Sequence, residues 1–414
     1  METMTINDFK IICGGITAPK GFMAAGIHAG IKKFKKDLAL IYSKTPALVS
    51  AVFTKNIVKA PPVLWCQKLV YGGNKIQAIV VNSGNANSCT GQKGYEDVEM
   101  MSKTVADCLG IKKENVLATS TGVIGVYLPM DKITDGIKDI SPLLSDDAES
   151  ADDCAQAILT TDTFTKTITL EIDIEGVSVK ISGMAKGSGM IHPNMATMLN
   201  FITTDANIEQ NLLDKAFKSN IETSFNMITV DGETSTNDMA VILANGCAQN
   251  PIINKEDENY FKFKNALQHI LVYLAKSIVK DGEGATKLIE CEIKGAKTTD
   301  DAKILCKAIL NSNLVKTAFF GKDANWGRII SAMGATCVDF NPSMATVSFE
   351  SSIGNIVVFE DGAPVAFDEE FACKILSEEE IKVTVSLKDG ESGIIGWGSD
   401  LTYEYVRINA EYRS

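Results

Sequence analysis

The stretch that most constrains the fold is "TITLEIDIEGVSVKIS", residues 167–182. Ile168, Leu170, Ile172 and Ile174 fall on one face of an extended chain, and Val177, Val179 and Ile181 resume the pattern after Glu175-Gly176. Side chains of a strand alternate between its two faces, so this pattern predicts a β-hairpin with one face buried and one wet. Such strands do not suit an all-parallel doubly wound sheet, whose strands are covered on both faces and read as unbroken apolar runs. Residues 287–293, "KLIECEI", and 381–387, "IKVTVSL", alternate in the same way.

Helical signals are interleaved with these strands. Leu267, Ile270, Leu271, Leu274 and Ile278 follow the spacing of one helix face, and Asp281-Gly282 ends it. Ala302, Leu305, Cys306 and Ile309 form a second stripe, with Thr298 or Thr299 as its cap. Leu212, Leu213, Ala216 and Phe217 form a third. The expected architecture is α/β, with mixed or antiparallel sheets packed with helices. A chain of 414 residues exceeds one ordinary core, so two lobes are expected. The acidic run "SDDAESADD" (145–153) reads either as a boundary or as an exposed helix start.

Charge and cysteine usage narrow the function. The formal net charge is −12 with no long basic run, which disfavours a nucleic-acid or anionic-membrane surface. No apolar stretch is long enough to span a bilayer, and the first fifteen residues do not read as a signal peptide. The ten cysteines include no CxxC pair, which suits buried free thiols in a cytoplasmic protein. His28, His192 and His269 are far apart in sequence, so no metal centre is expected.

Known nucleotide and hydrolase motifs are missing. "AKGSGM" (185–190) has glycines and a lysine but not the spacing of a phosphate loop, and there is no GxSxG elbow. What the chain has is a set of glycine- and hydroxyl-bearing segments: "NSGNAN" (82–87), "TSTGVIG" (119–125), "TTDT" (160–163), "KDGEG" (280–284) and "GKDANWGR" (321–328). Each alone reads as a structural turn, and together they suit a loop-built enzyme site. "GSGMIHPNMATML" (187–199) offers chemistry that needs no histidine. A threonine hydroxyl becomes a useful nucleophile when the α-amino group of the same residue serves as base. Cutting the bond between Ala196 and Thr197 would free that amine, and the small side chain of Ala196 leaves its carbonyl open to attack. An ordinary surface loop is the alternative at this point.

"MAKGSGMIHPNMATML", followed by "NFITTDA", resembles the self-cleavage segment of the ornithine acetyltransferase family, the ArgJ-type bifunctional proteins of arginine biosynthesis. "GGITAPKGF", "GIHAGIKK", "KDLALI", "VNSGNAN", "STGVIG", "VDGETSTND", "DGEGATK", "GKDANWGR" and "YVRINAEY" resemble that family's segments in the same order, over essentially the whole chain. The resemblance implies a self-cleaving threonine-nucleophile acyltransferase fold. It implies cleavage between Ala196 and Thr197, an α chain of 1–196, a β chain of 197–414 and an α2β2 heterotetramer. Thr197 is then the catalytic nucleophile, and Thr121 and Gly122 form the oxyanion hole. Thr163, Lys186, Thr197, Glu283, Asn409 and Ser414 line the substrate site. Ser414 stands where the family usually has a threonine and keeps the hydroxyl. Two further departures, the absence of a proline after "TDTF" and Asn200 in place of a small residue, do not touch the chemistry.

The implied reaction moves an acetyl group from N2-acetylornithine to glutamate through an acetyl-threonine ester, with no cofactor and with acetyl-CoA as a further donor in some members. Two other readings share some of these residues. A threonine-nucleophile amidase or aminopeptidase would resolve the acyl-enzyme with water. A metabolite-binding protein would keep an intact chain.

Overall fold

The computed structural model describes residues 9–192 and 198–411. The chain forms two compact units. Of the described residues, the first comprises 9–187, 198–222 and 234–274, and the second comprises 188–192, 223–233 and 275–411.

The first unit is built on nine strands: β1 (Lys10–Ile12), β2 (Phe22–Ile27), β3 (Leu38–Phe53), β4 (Ile76–Asn85), β5 (Val116–Val123), β6 (Lys166–Ile174), β7 (Val177–Lys186), β8 (Leu199–Thr204) and, further along the chain, β10 (Met239–Ala244). Their order is β1-β6-β7-β8-β10-β3-β4-β5, with β2 also pairing with β3. The β8–β10 and β4–β5 pairs are parallel and the rest antiparallel. Strand β3 is long enough to serve two neighbourhoods. Its first half pairs with β2 and β4, and Leu48–Phe53 pair with β10.

The expected hairpin is β6–β7, with Ile174 opposite Val177. Glu175 and Gly176 both have positive φ, 53° and 82°, the geometry of the tight turn that matches strand twist. Ile168, Leu170, Ile172 and Ile174 are buried. The helix predicted from Leu267 to Ile278 is part of Glu258–Lys280, and Phe263, Leu267, Ile270, Leu271 and Leu274 are fully buried. The acidic run is a helix start: Asp147 caps Ala148–Ala157 by accepting a hydrogen bond from the Ser150 N–H.

The second unit holds β9 (Ile228–Thr229), β11 (Leu288–Ala296), β12 (Thr346–Ser351), β13 (Gly354–Glu360), β14 (Ala363–Pro364), β15 (Glu380–Ser386) and β16 (Ser392–Ser399). The order is β14-β13-β12-β15-β11-β16-β9. Strand β11 runs parallel to β15 and antiparallel to β16, so this sheet is mixed too. Ile289, Cys291 and Ile293 are buried beneath the helix Thr299–Asn311, whose Leu305, Cys306 and Ile309 are buried as well. Thr298, not Thr299, is the cap, and it accepts from the Asp301 N–H.

All ten cysteines are free, but the expectation that they are buried holds for four, Cys66, Cys154, Cys291 and Cys306. Cys13, Cys89, Cys108, Cys337 and Cys373 are exposed, since they lie on outward faces and loops where no apolar pattern demands burial. Among the described residues no helix is long and apolar enough to cross a membrane.

A side chain at Gly176 would meet no atom within 4 Å, so the cost of substitution there is backbone strain alone. Gly176→Val is expected to lower unfolding stability by about 1–2 kcal/mol, the penalty for a bulky residue in the left-handed region. The urea midpoint measures it.

Candidate active site

The candidate residues fall into two groups, one in each unit. In the first unit they gather at the ends of β5 and β7. Strand β5 runs parallel to β4, with Ser83 opposite Thr121 and Gly84 opposite Gly122. The ladder then shifts register, because Asn85 faces both Thr121 and Val123. Gly122 has φ 132°, and a Cβ there would stand 2.3 Å from the carbonyl carbon of Gly84. Only glycine fits, for both reasons.

Buried polar side chains hold this turn. Asn82 donates to the Asn85 carbonyl at 2.9 Å, and Ser120 Oγ donates to Asn82 Oδ1 at 2.6 Å. Asn237 donates to the carbonyls of Ala86 at 2.5 Å and Ser120 at 2.9 Å. The segments "NSGNAN", "TSTGVIG" and the end of "VDGETSTND" are thus one hydrogen-bonded scaffold. The first two are strand ends more than free loops.

Lys186 closes β7. Its Nζ donates to Thr121 Oγ1 at 3.4 Å and lies 4.0 Å from Asp162 Oδ2. Asp162 is buried and accepts from Lys166 Nζ at 2.8 Å, from the Gly187 N–H at 2.7 Å and from the Thr160 N–H at 3.0 Å. Burial alone would raise its pKa, but the charges of Lys186 and Lys166 hold the carboxyl well below the usual carboxylate range. Thr163, the residue singled out in "TTDT", is exposed.

A second carboxyl in this unit behaves in the opposite way. Asp238 is buried, and its Oδ2 has no hydrogen-bond partner. Burial pushes its pKa well up, and Ser235 and Lys186 offset this only in part. It precedes β10, whose Met239 N–H donates to the Met198 carbonyl at 2.9 Å.

In the second unit the segment Ser188–His192 is fixed from both sides. Asp231 accepts from the N–H groups of Met190 at 2.6 Å and Ile191 at 2.9 Å. Ser188 Oγ donates to the Asp281 carbonyl at 2.6 Å, and the Glu283 N–H donates to the Ser188 carbonyl at 3.0 Å. Glu283 is buried, and its Oε2 accepts from Asn409 Nδ2 at 2.9 Å. Asn409 itself sits exposed on the helix Tyr403–Ala410. A Cβ on Gly189 would stand 2.3 Å from Glu283 Oε2, so that glycine leaves room for the carboxylate. Burial and the nearby Lys307 push His192 down to about 4 against the pull of Asp231, leaving the imidazole neutral.

Structure therefore brings Thr121, Gly122 and Lys186 together in one unit and Glu283 and Asn409 in the other. Ala196, Thr197 and Ser414 lie outside the described residues. Among the described residues no three His, Cys, Asp or Glu side chains gather into a metal-binding cluster. Asp162, Asp231 and Asp238 were not singled out by sequence reasoning. The signal for each was an aspartate inside a motif whose glycines, threonines and serines drew attention first.

The model of the ArgJ family matches residues 23–414. The chain belongs to the ArgJ family. An arginine biosynthesis bifunctional protein ArgJ of Caldanaerobacter subterraneus subsp. tengcongensis is 52% identical over 405 residues, covering 98% of this chain and 100% of that one. Its counterpart from Oceanobacillus iheyensis is 48% identical over 415 residues and is covered in full, as is this chain. A crystal structure of ornithine acetyltransferase complexed with ornithine, from Mycobacterium tuberculosis, is 39% identical over 45% of this chain and 100% of that chain, with a TM-score of 0.43. This ArgJ-family chain is an enzyme of the acyltransferase class, related to bifunctional proteins of arginine biosynthesis.

Two outcomes follow from the first unit. Gly122→Ala is expected to open the end of the β4–β5 ladder and speed amide exchange at Ala86, whose N–H donates to the Val123 carbonyl at 2.9 Å. Gly125→Ala, with open space around its Cβ, is the milder control. Asp162 has a lowered folded pKa, so its stabilising contribution is complete above the unfolded carboxylate value, about 3.9, and is lost as pH falls through the folded one. Asp162→Asn is expected to lower stability at pH 7 and to flatten its decline in acid, as read by melting temperature against pH.

Proposed function

We propose that the chain transfers the acetyl group of N2-acetylornithine to glutamate through an acetyl ester on Thr197, giving ornithine and N-acetylglutamate. Membership of the ArgJ family supports this reading, and the observation that carries it is the positive-φ Gly122 beside Thr121 at the end of β5, with Lys186 on the Thr121 hydroxyl. In the proposed maturation the Thr197 hydroxyl adds to the Ala196 carbonyl. The acyl group shifts from nitrogen to oxygen, and water hydrolyses the ester. Chains 1–196 and 197–414 result, which assemble as an α2β2 heterotetramer, and Thr197 gains an α-amino group with a reference pKa of about 7.7–8.0.

That amine takes the hydroxyl proton as Thr197 attacks the acetyl carbonyl. Thr121 and Gly122 donate to the oxyanion, a contribution that typically changes rate about 100–1,000-fold per donor. Ornithine leaves with the proton, the amine of glutamate attacks the ester, and N-acetylglutamate departs. Lys186 and Asn409 bind the α-carboxylate common to donor and acceptor, Glu283 receives the side-chain ammonium of ornithine, and Thr163 and Ser414 complete the substrate contacts. The chemistry uses the chain's own groups without a cofactor.

The intact mass of the denatured protein tests the maturation step. Two fragments are expected, the second beginning at Thr197, with a single chain for Thr197→Ala. One uncut wild-type chain would contradict the reading. Ornithine release beyond the first turnover is expected to depend on glutamate, and continued release in water alone would mark a hydrolase. Glu283→Gln is expected to raise KM for acetylornithine about tenfold or more, the equivalent of about 1.4 kcal/mol.

A further inference from the structure

Positive charge in the first unit outweighs the carboxylate that gathers it. Asp162 takes Lys166 at 2.8 Å and has Lys186 at 4.0 Å. A third lysine, Lys32, interacts electrostatically with both Asp162 and Lys186. Among the described residues the Lys32 ammonium donates to one acceptor, the Leu159 carbonyl at 2.9 Å, though it has three N–H donors. Its stem lies against Gly84, since a Cβ on that glycine would stand 2.9 Å from Lys32 Cγ, and Gly84 is the partner of Gly122 in the ladder.

Lys32 is not a loose surface side chain. The fully buried carboxylate of Asp37 accepts from the N–H groups of Ala29 at 2.6 Å, Ile31 at 2.7 Å and Lys32 at 2.8 Å, which fixes the loop. Burial pushes the Lys32 amine down to about 8, with Lys35 and Lys186 adding to this and Asp37 and Asp162 opposing it. A half-buried cation whose burial is this poorly compensated gains from any anion that reaches it. Donor, acceptor and both products of the proposed reaction carry one such anion in common, the α-carboxylate.

We propose that Lys32 binds the substrate α-carboxylate together with Lys186, beside the Thr121–Gly122 turn. This assignment rests on the proposed acetyl transfer. It gives a reason for two ammonium groups near one turn. A group shared by both substrates is held at one place while their side chains differ.

Lys32→Met in the full-length chain keeps the stem and removes the charge. Self-cleavage is expected to match wild type and kcat to stay within about threefold, while KM for acetylornithine and for glutamate both rise about tenfold to a hundredfold, as for loss of a hydrogen bond to a charged group. Inhibition by ornithine is expected to weaken by a similar factor. Inhibition by 1,4-diaminobutane, which is ornithine without its carboxylate, is expected to stay unchanged. In wild type KM should also climb above pH about 8 as Lys32 loses its proton, a limb that Lys32→Met removes.

Unchanged KM values in a cleaved Lys32→Met enzyme would overturn the proposal, as would equal weakening of ornithine and 1,4-diaminobutane. Loss of self-cleavage in both Lys32→Met and Lys32→Arg would mark a structural role and overturn it too. Absence of acetyl transfer in the wild type would instead remove the reaction on which the assignment rests.

Discussion

Asp162 is a buried carboxylate at the open end of the β6–β7 hairpin, where its two strands begin and end. Lys166 opens β6, Lys186 closes β7, and the two ladder ends lie side by side, with Lys166 opposite Ala185. Both lysines reach Asp162, and the Gly187 N–H joins them. A buried pair of this kind adds little net stability compared with well-packed apolar groups, but removing one partner is costly. Its consequence is geometric. It fixes the direction in which Lys186 leaves the sheet, and with it the contact between Lys186 and the Thr121 hydroxyl.

The second unit uses the same device on a different segment. Asp231 receives two backbone N–H groups from Met190 and Ile191, and Met190 is held at φ 57°, an unusual conformation for a residue with a side chain. Tyr405 donates to the same carboxylate at 3.3 Å. Glu283 is set by the Ser188 carbonyl on its backbone and by Asn409 on its carboxylate. In each unit an acid orders backbone that no regular secondary structure would order. That is what a loop-borne active site needs, because side-chain placement on loops is only as good as the bonds that hold the loop.

Much of the fold is legible in the sequence. The 167–182 alternation gives the hairpin, and the leucine and isoleucine stripes give the helices at 258–280 and 299–311, because period and face are local properties. Sheet order is not local. Nothing in "ALVSAVF" says that β3 divides its length between β2, β4 and β10. The glycine-rich motifs were legible as a set, and family likeness ordered them into a site. Their inner logic was less so. In "TTDT" the family resemblance points to Thr163, yet Asp162 is the buried member that gathers two lysines. In "GIHAGIKK" nothing separates Lys32 from Lys33, and only the fold sets the Lys32 stem against Gly84. Burial and electrostatic company are made by distant segments, so they cannot be read from a neighbourhood in sequence.

The central claim is that Thr197 carries the acetyl group between two substrates. The most direct measurement is the mass of the enzyme after incubation with acetylornithine in the absence of glutamate, followed by acid quenching and peptide mapping. The account predicts that the peptide beginning at Thr197 gains one acetyl group and loses it when glutamate is added, with N-acetylglutamate appearing in equal amount. Acetyl transfer to glutamate with Thr197 never modified, or with the label on another residue, would contradict it.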